Sequence, residues 1–330
     1  MTDNPPKNRP FDDIKSLVQN MPQVDEKARY ATEEILASYA PALNPFGSIG
    51  PALMWLSGWQ GKTPPSIDRP LIAVFSGSHR VAEEVIGGNS ITGAKERVLN
   101  MTQGSAGSRG MASQFGAAFK VYEMGIDYPA GDFTKEPSLS ERDCAAAIAF
   151  GMEVVAEGAD IIVLGNAGFG SVTAAAAISY GLYGGTPDYW AGGSGPAAKA
   201  RTKAVKDGID NHRDLITDPL NILRLFGGRD IAGMIGAIIA ARHQAIPVIL
   251  DGFVVSAAAA VLHKLDETSI SHCYAGHLSS EPAHGALLDR MNLKPLLDLG
   301  IGIGDGTGAT LAMGQLQAAS AGLKTVQVTL

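Results

Sequence analysis

The sequence predicts a doubly wound α/β protein, with a mainly parallel sheet and helices on both of its faces. Short apolar runs bounded by glycine or polar turns alternate with helical stretches through most of the chain. This alternation requires crossover connections, which make neighbouring strands parallel. Runs such as IIVL and PVIL are apolar at every position, as expected of strands covered on both faces. The 40 glycines in 330 residues, together with recurrent alanine runs, indicate close packing between helices and sheet.

The predicted elements follow one another in a regular order. Helical patterns near the N-terminus lead to GKTPPSIDRP, where prolines interrupt any periodicity and indicate a linker. Strands and helices alternate beyond it, and a last helix follows a glycine-rich stretch. The helices are predicted at residues 11–20, 25–39, 51–59, 138–157, 171–180, 231–242, 254–265 and 309–319, and the strands at 71–75, 120–124, 160–164, 247–250 and 271–274.

Composition and charge argue against several classes of function. The net charge of −7 argues against nucleic-acid binding, which needs a basic face. No apolar signal segment is visible, and the most apolar stretch, residues 231–241, is too short to cross a bilayer. We therefore expect a soluble cytoplasmic protein that binds no membrane. Cys144 and Cys273 have neither metal-ligand nor disulfide-framework spacing. No H-x-x-x-H or clustered carboxylate motif occurs, so we expect no metal and no cofactor.

Polar residues in glycine-bearing loops follow three of the predicted strands, in the stretches FSGSH, LGNAGFGS and LDG. Ligands of parallel sheets bind beyond the carboxyl ends of the strands, so these loops are candidates for a site. His79 and His277 also come just after predicted strands, whereas His263 and His284 are expected on solvated helix faces. The alternative is that the glycines serve the turns alone.

Two stretches are candidates for binding an anion. LGNAGFGSVTAAAA runs from a strand through a glycine loop into a helix, where Ser171 or Thr173 could cap the helix and free N–H groups would face a phosphate. AGGSGPAAKARTKAV places small residues before another helix, with Lys199, Arg201 and Lys203 adding positive charge. Neither stretch is a Walker loop or a dinucleotide fingerprint. The alternatives are a tight strand-to-helix turn for the first and a solvated basic face for the second.

The stretch GIGIGDGTG, residues 300–308, holds a single carboxylate, Asp305, on glycine-rich backbone. Alternating glycines let a ring or a sugar approach closely. A partly desolvated acid there would hold a proton more tightly and could work as a general base. A helix-capping aspartate is the alternative. No G-x-S-x-G elbow supports a Ser–His–Asp triad.

Five stretches, in a fixed order from about residue 44 to residue 319, carry a family resemblance. They are NPFGSIG, NMTQGSAG, AGMIGAIIAARHQAIPVILDGFVVSAAA, AGHLSSEPAHG and GIGDGTGATLAM. In that order they resemble K-P-P-G-S-L-G, N-M-x-x-G-x-x-G, G-M-x-G-x-x-L-x-A-A-x-x-x-x-P-V-x-L-D-G-F-x-x-x-A-A, S-H-x-S-x-E-x-G-H and R-L-G-E-G-S-G-A-A-L-A-M. These motifs belong to the nicotinate-nucleotide–dimethylbenzimidazole phosphoribosyltransferase family of cobalamin lower-ligand synthesis, which the chain resembles through their order and spacing.

The resemblance implies a reaction and a set of site residues. The ribosyl phosphate of nicotinate mononucleotide would move to a ring nitrogen of a benzimidazole, nicotinate would leave, and an α-ribazole phosphate would form. Asp305 stands where the family has a basic glutamate in G-E-G. The implied phosphate- and ribose-binding residues are Gly168, Phe169, Gly170, Ser171, Lys203, Gly304 and Gly306; the acceptor-base pocket would include His79, Arg97 and Asn166, with His277 and Ser280 as further site residues.

The resemblance also implies a homodimer and a division into two domains. A smaller helical domain would combine residues 1–60 with the C-terminal helix, residues 306–330. Residues 61–305 would form the large Rossmann-like domain. The change of sequence pattern near Gly61 agrees with the first boundary.

Departures from the family pattern leave two interpretations open. Asp305 is one methylene shorter than glutamate, Asn166 replaces a second glutamate, and Arg97 stands where the family has a glutamine. GSHR replaces A-D-H-G, which keeps His79 and loses the acid. One interpretation is a working transferase with an altered acceptor, which Arg97 would make acidic or phenolic. The other is a homologue that binds a nucleotide or an aromatic ligand without this catalysis, in a regulatory or partner-binding role.

Overall fold

Five parallel strands form the central sheet of a computed structural model that describes residues 9–39, 46–104 and 106–329. In chain order they are β1 (Pro70–Ser76), β2 (Ala118–Glu123), β3 (Ile161–Asn166), β4 (Val248–Leu250) and β5 (Cys273–Ala275). Their order across the sheet is β2–β1–β3–β4–β5, with every neighbouring pair parallel. The chain runs outward from β1 to β2 and then crosses to β3, so the strand order reverses between β1 and β3. Such a reversal opens a crevice where α/β proteins bind ligands.

All five predicted strands are present, with bounds that differ by a few residues. β5 begins at Cys273 rather than at residue 271, because Ser271 still ends the 3₁₀ turn Glu267–Ile270. A second, two-stranded parallel sheet joins β6 (His277–Leu278) to β7 (Leu297–Asp298). The sequence did not predict it, because strands of two residues carry no periodic signal.

Helices surround the sheet on both sides. They are α1 (Pro10–Gln19), α2 (Glu26–Ser38), α3 (Gly50–Gln60), α4 (Val81–Val85), α5 (Ser90–Thr102), α6 (Gly107–Gln114), α7 (Glu141–Gly151), α8 (Ser171–Tyr183), α9 (Pro187–Ala191), α10 (Gly195–His212), α11 (Pro219–Phe226), α12 (Arg229–His243), α13 (Gly252–Leu265), α14 (His284–Arg290) and α15 (Thr307–Thr329).

The helix predicted at residues 138–157 is shorter than expected. The N–H of Ser138 binds the carbonyl of Leu225 and so is not part of a helix. Ser140 caps α7 through its hydroxyl, as its residue type favours. The predicted helix ends in a 3₁₀ turn, Met152–Glu157.

The core lies in two layers, one on each face of the sheet. Side chains alternate along β1, so that Leu71 and Phe75 face one layer while Ile72 and Val74 face the other. The first layer contains α7, α8, α12 and α13, and the second contains α3, α5 and α15. β1, β3 and β4 are buried at every position. The predicted doubly wound α/β class is therefore confirmed.

The N-terminal helices divide between these layers. α1 packs on α7, whereas α2 and α3 pack on each other and on α15. The association of α2, α3 and α15 is what a small domain built from both chain ends would require. The division into residues 1–60, 61–305 and 306–330 stays a prediction. Residues 1–8, 40–45 and 330 of it lie outside the described residues, as do Asn44 and Pro45 of the NPFGSIG motif.

Glycines bring α7 and α12 into backbone contact. A Cβ built on Gly151 would lie 1.9 Å from the carbonyl oxygen of Gly233, and one on Gly236 would lie 1.9 Å from that of Ile148. We expect Gly236→Ala to destabilise the protein by about 2 kcal/mol or more, because the two helices must separate. Denaturant unfolding measures this. Gly110→Ala is the control, since nothing lies within 4 Å of a Cβ there; equal stabilities would contradict the prediction.

Two kinds of feature are missing from the described part of the chain. None of its helices combines the length and the apolar composition that crossing a membrane requires. Within the same residues, no three His, Cys, Asp or Glu side chains stand close enough together to hold a metal ion.

Cys144 and Cys273 are buried and free. Burial raises the pKa of both thiols, so they stay protonated at neutral pH.

Candidate active site

Three loops meet at the carboxyl ends of β1 and β3, where the strand order reverses. The N–H of Phe169 binds the carbonyl of Gly77 at 2.9 Å, and the N–H of His79 binds the carbonyl of Phe169 at 3.1 Å. The N–H of Asn166 binds the carbonyl of Gly304 at 2.7 Å. The loops after β1 and β3 and the GIGIGDG loop are therefore tied together by backbone hydrogen bonds, and residues predicted from three separate stretches form one site.

A buried carboxylate, Asp230, lies at the centre of this site. It is fully buried in the first turn of α12. Its Oδ1 is 3.0 Å from His79 Nε2, and its Oδ2 accepts hydrogen bonds from Ser171 Oγ at 2.6 Å and from Asn166 Nδ2 at 2.8 Å. Asp230 thus joins the loop after β1 to the loop after β3. Both polar atoms of the Asn166 amide are therefore hydrogen-bonded: Nδ2 donates to Asp230, and Oδ1 accepts the N–H of Gly168.

The surroundings of Asp230 favour its ionised form. Burial by itself raises the pKa of Asp230, but the charge of His79 and hydrogen bonds from His79, Ser171 and Asn166 outweigh it and lower the pKa to about 2. The native state therefore holds this proton more weakly than the unfolded chain does.

This pKa shift makes part of the stability depend on pH. Because the pKa of Asp230 is lowered on folding from 3.8 to about 2, its contribution is complete above about pH 4 and is lost as the pH falls toward 2. We expect the difference in unfolding free energy between wild type and Asp230→Asn to shrink as the pH falls from 4 to 2. Urea unfolding across this range measures it, and a constant difference down to pH 2 would show that Asp230 is not ionised in the fold.

The glycine loop, residues 168–171, leads directly into α8. The predicted capping by Ser171 or Thr173 is wrong, since Gly170 is the N-cap and the Ser171 hydroxyl donates to Asp230 instead. Gly170 has a φ of 98°, a conformation that favours glycine. A Cβ on Gly168 would lie 2.3 Å from Asp230 Oδ2. The N–H of Thr173 binds the carbonyl of Gly170 at 3.0 Å, so the first two N–H groups of α8, those of Ser171 and Val172, are the ones that a helix N-terminus leaves for an anion.

Arg97 holds this glycine loop from the side of α5. Its Nη1 donates to the carbonyl of Gly168 at 2.6 Å, and its guanidinium lies 5.2 Å from the centre of the Phe169 ring. Phe169 in turn packs on Gly93, where a Cβ would lie 2.4 Å from the ring. Arg97, expected in the acceptor-base pocket, is therefore engaged with the glycine loop.

Asp305 is buried, with only 5% of its surface exposed. Its Oδ2 accepts a hydrogen bond from Ser108 Oγ at 3.0 Å, and its Oδ1 accepts the N–H and the hydroxyl of Thr307 at 3.2 and 2.6 Å. Asp305 thus supports the first turn of α15, as the capping alternative expects. Its role as a general base stays a prediction.

Glycines let the loop of Asp305 lie directly on β3. A Cβ on Gly165 would lie 2.6 Å from the nitrogen of Gly306, so position 165 must be glycine for this approach. Gly306 has a φ of 92°, and its N–H donates to Asp251 Oδ2 at 2.9 Å. Asp251, from the LDG stretch after β4, also accepts the N–H of Ala309 at 2.8 Å. The glycines therefore allow the backbone of the GIGIGDG loop to lie close against the backbone of β3.

Lys203 lies away from this hydrogen-bonded cluster, on α10. It borders a groove of about 460 Å³, and its ammonium pairs with Asp207 on the same helix. Arg201 Nη2 lies 3.7 Å from Glu281 Oε2, next to Ser280, whose N–H binds the carbonyl of Ile301. The groove is lined by Asp188, Gly192, Gly193, Gly195, Ala198, Lys199, Thr202, Lys203 and Lys206. Lys206 is paired as well, with Asp210 at 2.7 Å, so two of the three lysines of this lysine-lined groove are bound to carboxylates of their own helix.

The histidines after β5 and in α14 are buried. The solvated position expected for His284 is wrong: its Nδ1 accepts the N–H of Ser279 at 2.9 Å and its Nε2 is 3.0 Å from Ser256 Oγ. Burial and the nearby His277 lower the pKa of His284 to about 3, so it stays neutral. His277 is fully buried, with its Nε2 3.2 Å from Asp251 Oδ1.

Sequence reasoning missed three polar residues of this site. Asp230 follows two glycines at a helix start, in GGRD, a pattern that reads as an ordinary helix N-terminus. Asp251 lies in the LDG loop, where the glycine is the recognisable feature, and Ser108 follows the NMTQGSAG stretch with no pattern of its own. Each of the three makes a hydrogen bond to a residue far away in the chain, and sequence motifs do not show such long-range contacts.

Comparisons with known proteins agree on one family. A family model described as phosphoribosyltransferase matches residues 21–329. A nicotinate-nucleotide–dimethylbenzimidazole phosphoribosyltransferase of Sinorhizobium medicae (strain WSM419) is 42% identical over 316 residues, covering 94% of this chain and 93% of that protein. The enzyme of the same name from Methylocella silvestris is 43% identical over 319 residues, with the same two coverages. The crystal structure of the one from Thermus thermophilus superimposes with a TM-score of 0.84 at 27% identity, covering 91% of this chain and 96% of that one.

Proposed function

The chain belongs to this phosphoribosyltransferase family, and from that premise we propose that it transfers the ribosyl phosphate of nicotinate mononucleotide to a benzimidazole-type base. The products are nicotinate and an α-ribazole phosphate, as in cobalamin nucleotide-loop assembly. The chain is accordingly a transferase. The observation that carries the proposal is the buried carboxylate of Asp305 on glycine backbone at the strand-order reversal.

The transfer needs a base on the acceptor side. The bond between the ribose carbon and the nicotinate nitrogen breaks, and its electron pair leaves with nicotinate. A nitrogen of the benzimidazole forms the new bond to the same carbon, while the other ring nitrogen loses its proton to Asp305. Ser108 now donates to the Asp305 oxygen that would accept this proton, so the acceptor ring must displace that hydroxyl.

The donor side needs groups that hold an anion. The N–H groups of Ser171 and Val172 at the start of α8 are one source, and the lysine-lined groove with Lys203 is the other. Gly304 and Gly306 supply backbone without side chains beside Asn166 and Asp251. We propose that the phosphate lies between the glycine loop and α10, with the ribose over the GIGIGDG loop.

On the acceptor side, His79 and Asn166 act through Asp230 rather than by contacting the ring. Arg97 is engaged with Gly168 and Phe169, which supports a benzimidazole-type acceptor over an acidic or phenolic one.

The proposal includes a homodimer in the cytoplasm. Leu299 and Ile303, which are 58% and 55% exposed on the loop of Asp305, are apolar surface that a partner subunit or the acceptor ring would cover.

Turnover with the proposed substrates tests the function. Purified protein is incubated with nicotinate mononucleotide and dimethylbenzimidazole, and nicotinate release is followed by chromatography. We expect release that requires both substrates. Binding of nicotinate mononucleotide without turnover across a panel of azoles and phenols would support the ligand-binding homologue instead. If neither ligand raises the melting temperature at saturation, both functions fail, because a ligand of the native state must stabilise it.

A further inference from the structure

Asp251 anchors the backbone on both sides of the start of α15. It is 1% exposed, in the turn after β4. Its two carboxylate oxygens accept the N–H groups of Gly306 at 2.9 Å and Ala309 at 2.8 Å. Gly306 directly follows Asp305, so the position of the Asp305 backbone depends on where the Asp251 carboxylate lies.

His277 lies behind that carboxylate without a hydrogen bond of its own. It is fully buried, and its Nε2 is 3.2 Å from Asp251 Oδ1 without the alignment of a hydrogen bond. Within the described chain, neither of its ring nitrogens has a hydrogen-bond partner. Its ring packs against Gly308, where a Cβ would lie 2.3 Å away, and its ring centre is 6.4 Å from that of His284.

A polar ring in this position brings no stability that an apolar side chain would lack. A buried polar group without hydrogen bonds costs free energy, and an apolar group of similar size would be neutral or better. Among the residues that the structure describes, the charged group facing the His277 nitrogens is Asp251, because both nitrogens of His284 are engaged elsewhere. The polar edge of His277 therefore faces Asp251 Oδ1, and the ring limits where this carboxylate can lie.

We propose that Asp251 and His277 are positioning residues of the transfer step. Asp251 fixes Asp305 through the N–H groups of Gly306 and Ala309, and His277 keeps the Asp251 carboxylate in place. The inference rests on the proposed role of Asp305 as the base. Precise placement matters, because a displacement of about 1 Å at a reacting group costs about 100-fold in rate.

Asp251→Asn tests the first part. The amide keeps the size of the carboxylate but has one acceptor oxygen for two N–H groups. We expect kcat to fall by about 10- to 100-fold, with the KM for nicotinate mononucleotide and the melting-temperature rise that it causes unchanged within about twofold. Hydrogen exchange in peptides covering residues 300–309 should become faster. Asp218→Asn is the control, since Asp218 accepts two backbone N–H groups through a single oxygen, which the amide keeps, at a helix away from the site.

His277→Leu tests the second part. We expect a melting temperature equal to or above that of wild type, together with a kcat lowered by about tenfold. His277→Gln, which returns an N–H to this position, should recover part of kcat. A merely structural role predicts the opposite, a lower melting temperature with kcat unchanged in the surviving native protein, and that result would overturn the role of His277.

Turnover and hydrogen exchange distinguish a failure of the proposed function from a failure of the role inferred for Asp251. If wild type shows no turnover, the proposed function fails, and hydrogen exchange of residues 300–309 still decides whether Asp251 anchors the loop. If wild type turns over and Asp251→Asn keeps both kcat and slow exchange, the inference is overturned. Should Asp251→Asn not fold, Gly308→Ala gives the same test, because its new Cβ would push the start of α15 off His277.

Discussion

Replacing Asp305 by asparagine is expected to lower kcat for phosphoribosyl transfer by about 100- to 10,000-fold, the range that a general base contributes. The amide is as large as the carboxylate. Its oxygen can still accept from Thr307, and its NH2 can donate to the Ser108 hydroxyl, so the fold and the binding of nicotinate mononucleotide should survive. What is lost is the ability to take a proton from the acceptor ring. Nicotinate release gives kcat, and the melting temperature with and without nicotinate mononucleotide reports donor binding.

Asp266→Asn provides a closely matched control for this prediction. Asp266 accepts the N–H and the hydroxyl of Thr268, both at 2.7 Å, which is the same local arrangement as that of Asp305 with Thr307. Its replacement should leave kcat unchanged. If Asp305→Asn keeps more than about a tenth of the wild-type kcat, Asp305 serves only as a cap of α15, and the base has to be sought elsewhere.

The sheet could be predicted because its signal is local. Strands such as β3 are apolar at every position and are bounded by glycine or polar turns, so a window of a few residues identifies them. The order of the strands could not be read in this way, because it depends on which crossover packs on which face. The short strands β6 and β7 carried no pattern of their own.

The part of the site formed by loops directly after the strands could be predicted from the sequence. The loops containing His79 and Asn166 were placed together, since the carboxyl ends of parallel strands share one edge. The capping predicted for Ser171 is wrong for a physical reason: the helix N-terminus and a buried carboxylate compete for its hydroxyl, and the charge-assisted bond to Asp230 is the stronger. No local pattern shows that Asp230 lies there.

Arg97 and Asn166 likewise make contacts that no local sequence pattern shows. Their identities suggested direct contact with the acceptor ring, by comparison with the family. In the structure their polar atoms bind the protein itself, Arg97 at the carbonyl of Gly168 and Asn166 at Asp230. A residue type that departs from the family pattern at a site can therefore serve the scaffold of that site, and its effect on substrate choice is then indirect.

Replacing Asp230 by alanine is expected to destabilise the protein by about 3–5 kcal/mol, the cost of removing one partner from a buried ionic pair. His79, Ser171 and Asn166 would all lose the carboxylate to which they are bonded. Because Asp230 joins the loops after β1 and β3, transfer activity should fall even at temperatures where the variant stays folded. Denaturant unfolding and nicotinate release measure the two effects.

Asp132→Ala is the control for Asp230→Ala, because Asp132 is also buried but its partner Lys135 is 64% exposed, so a cost of about 1 kcal/mol is expected. Adding His79→Ala to Asp230→Ala separates charge from packing. If the buried ion pair dominates, the double variant costs less than the sum of the two single ones, since the unpaired imidazole is gone. Strictly additive costs would show that Asp230 and His79 stabilise the site independently, and that the two loops are held together by their backbone hydrogen bonds alone.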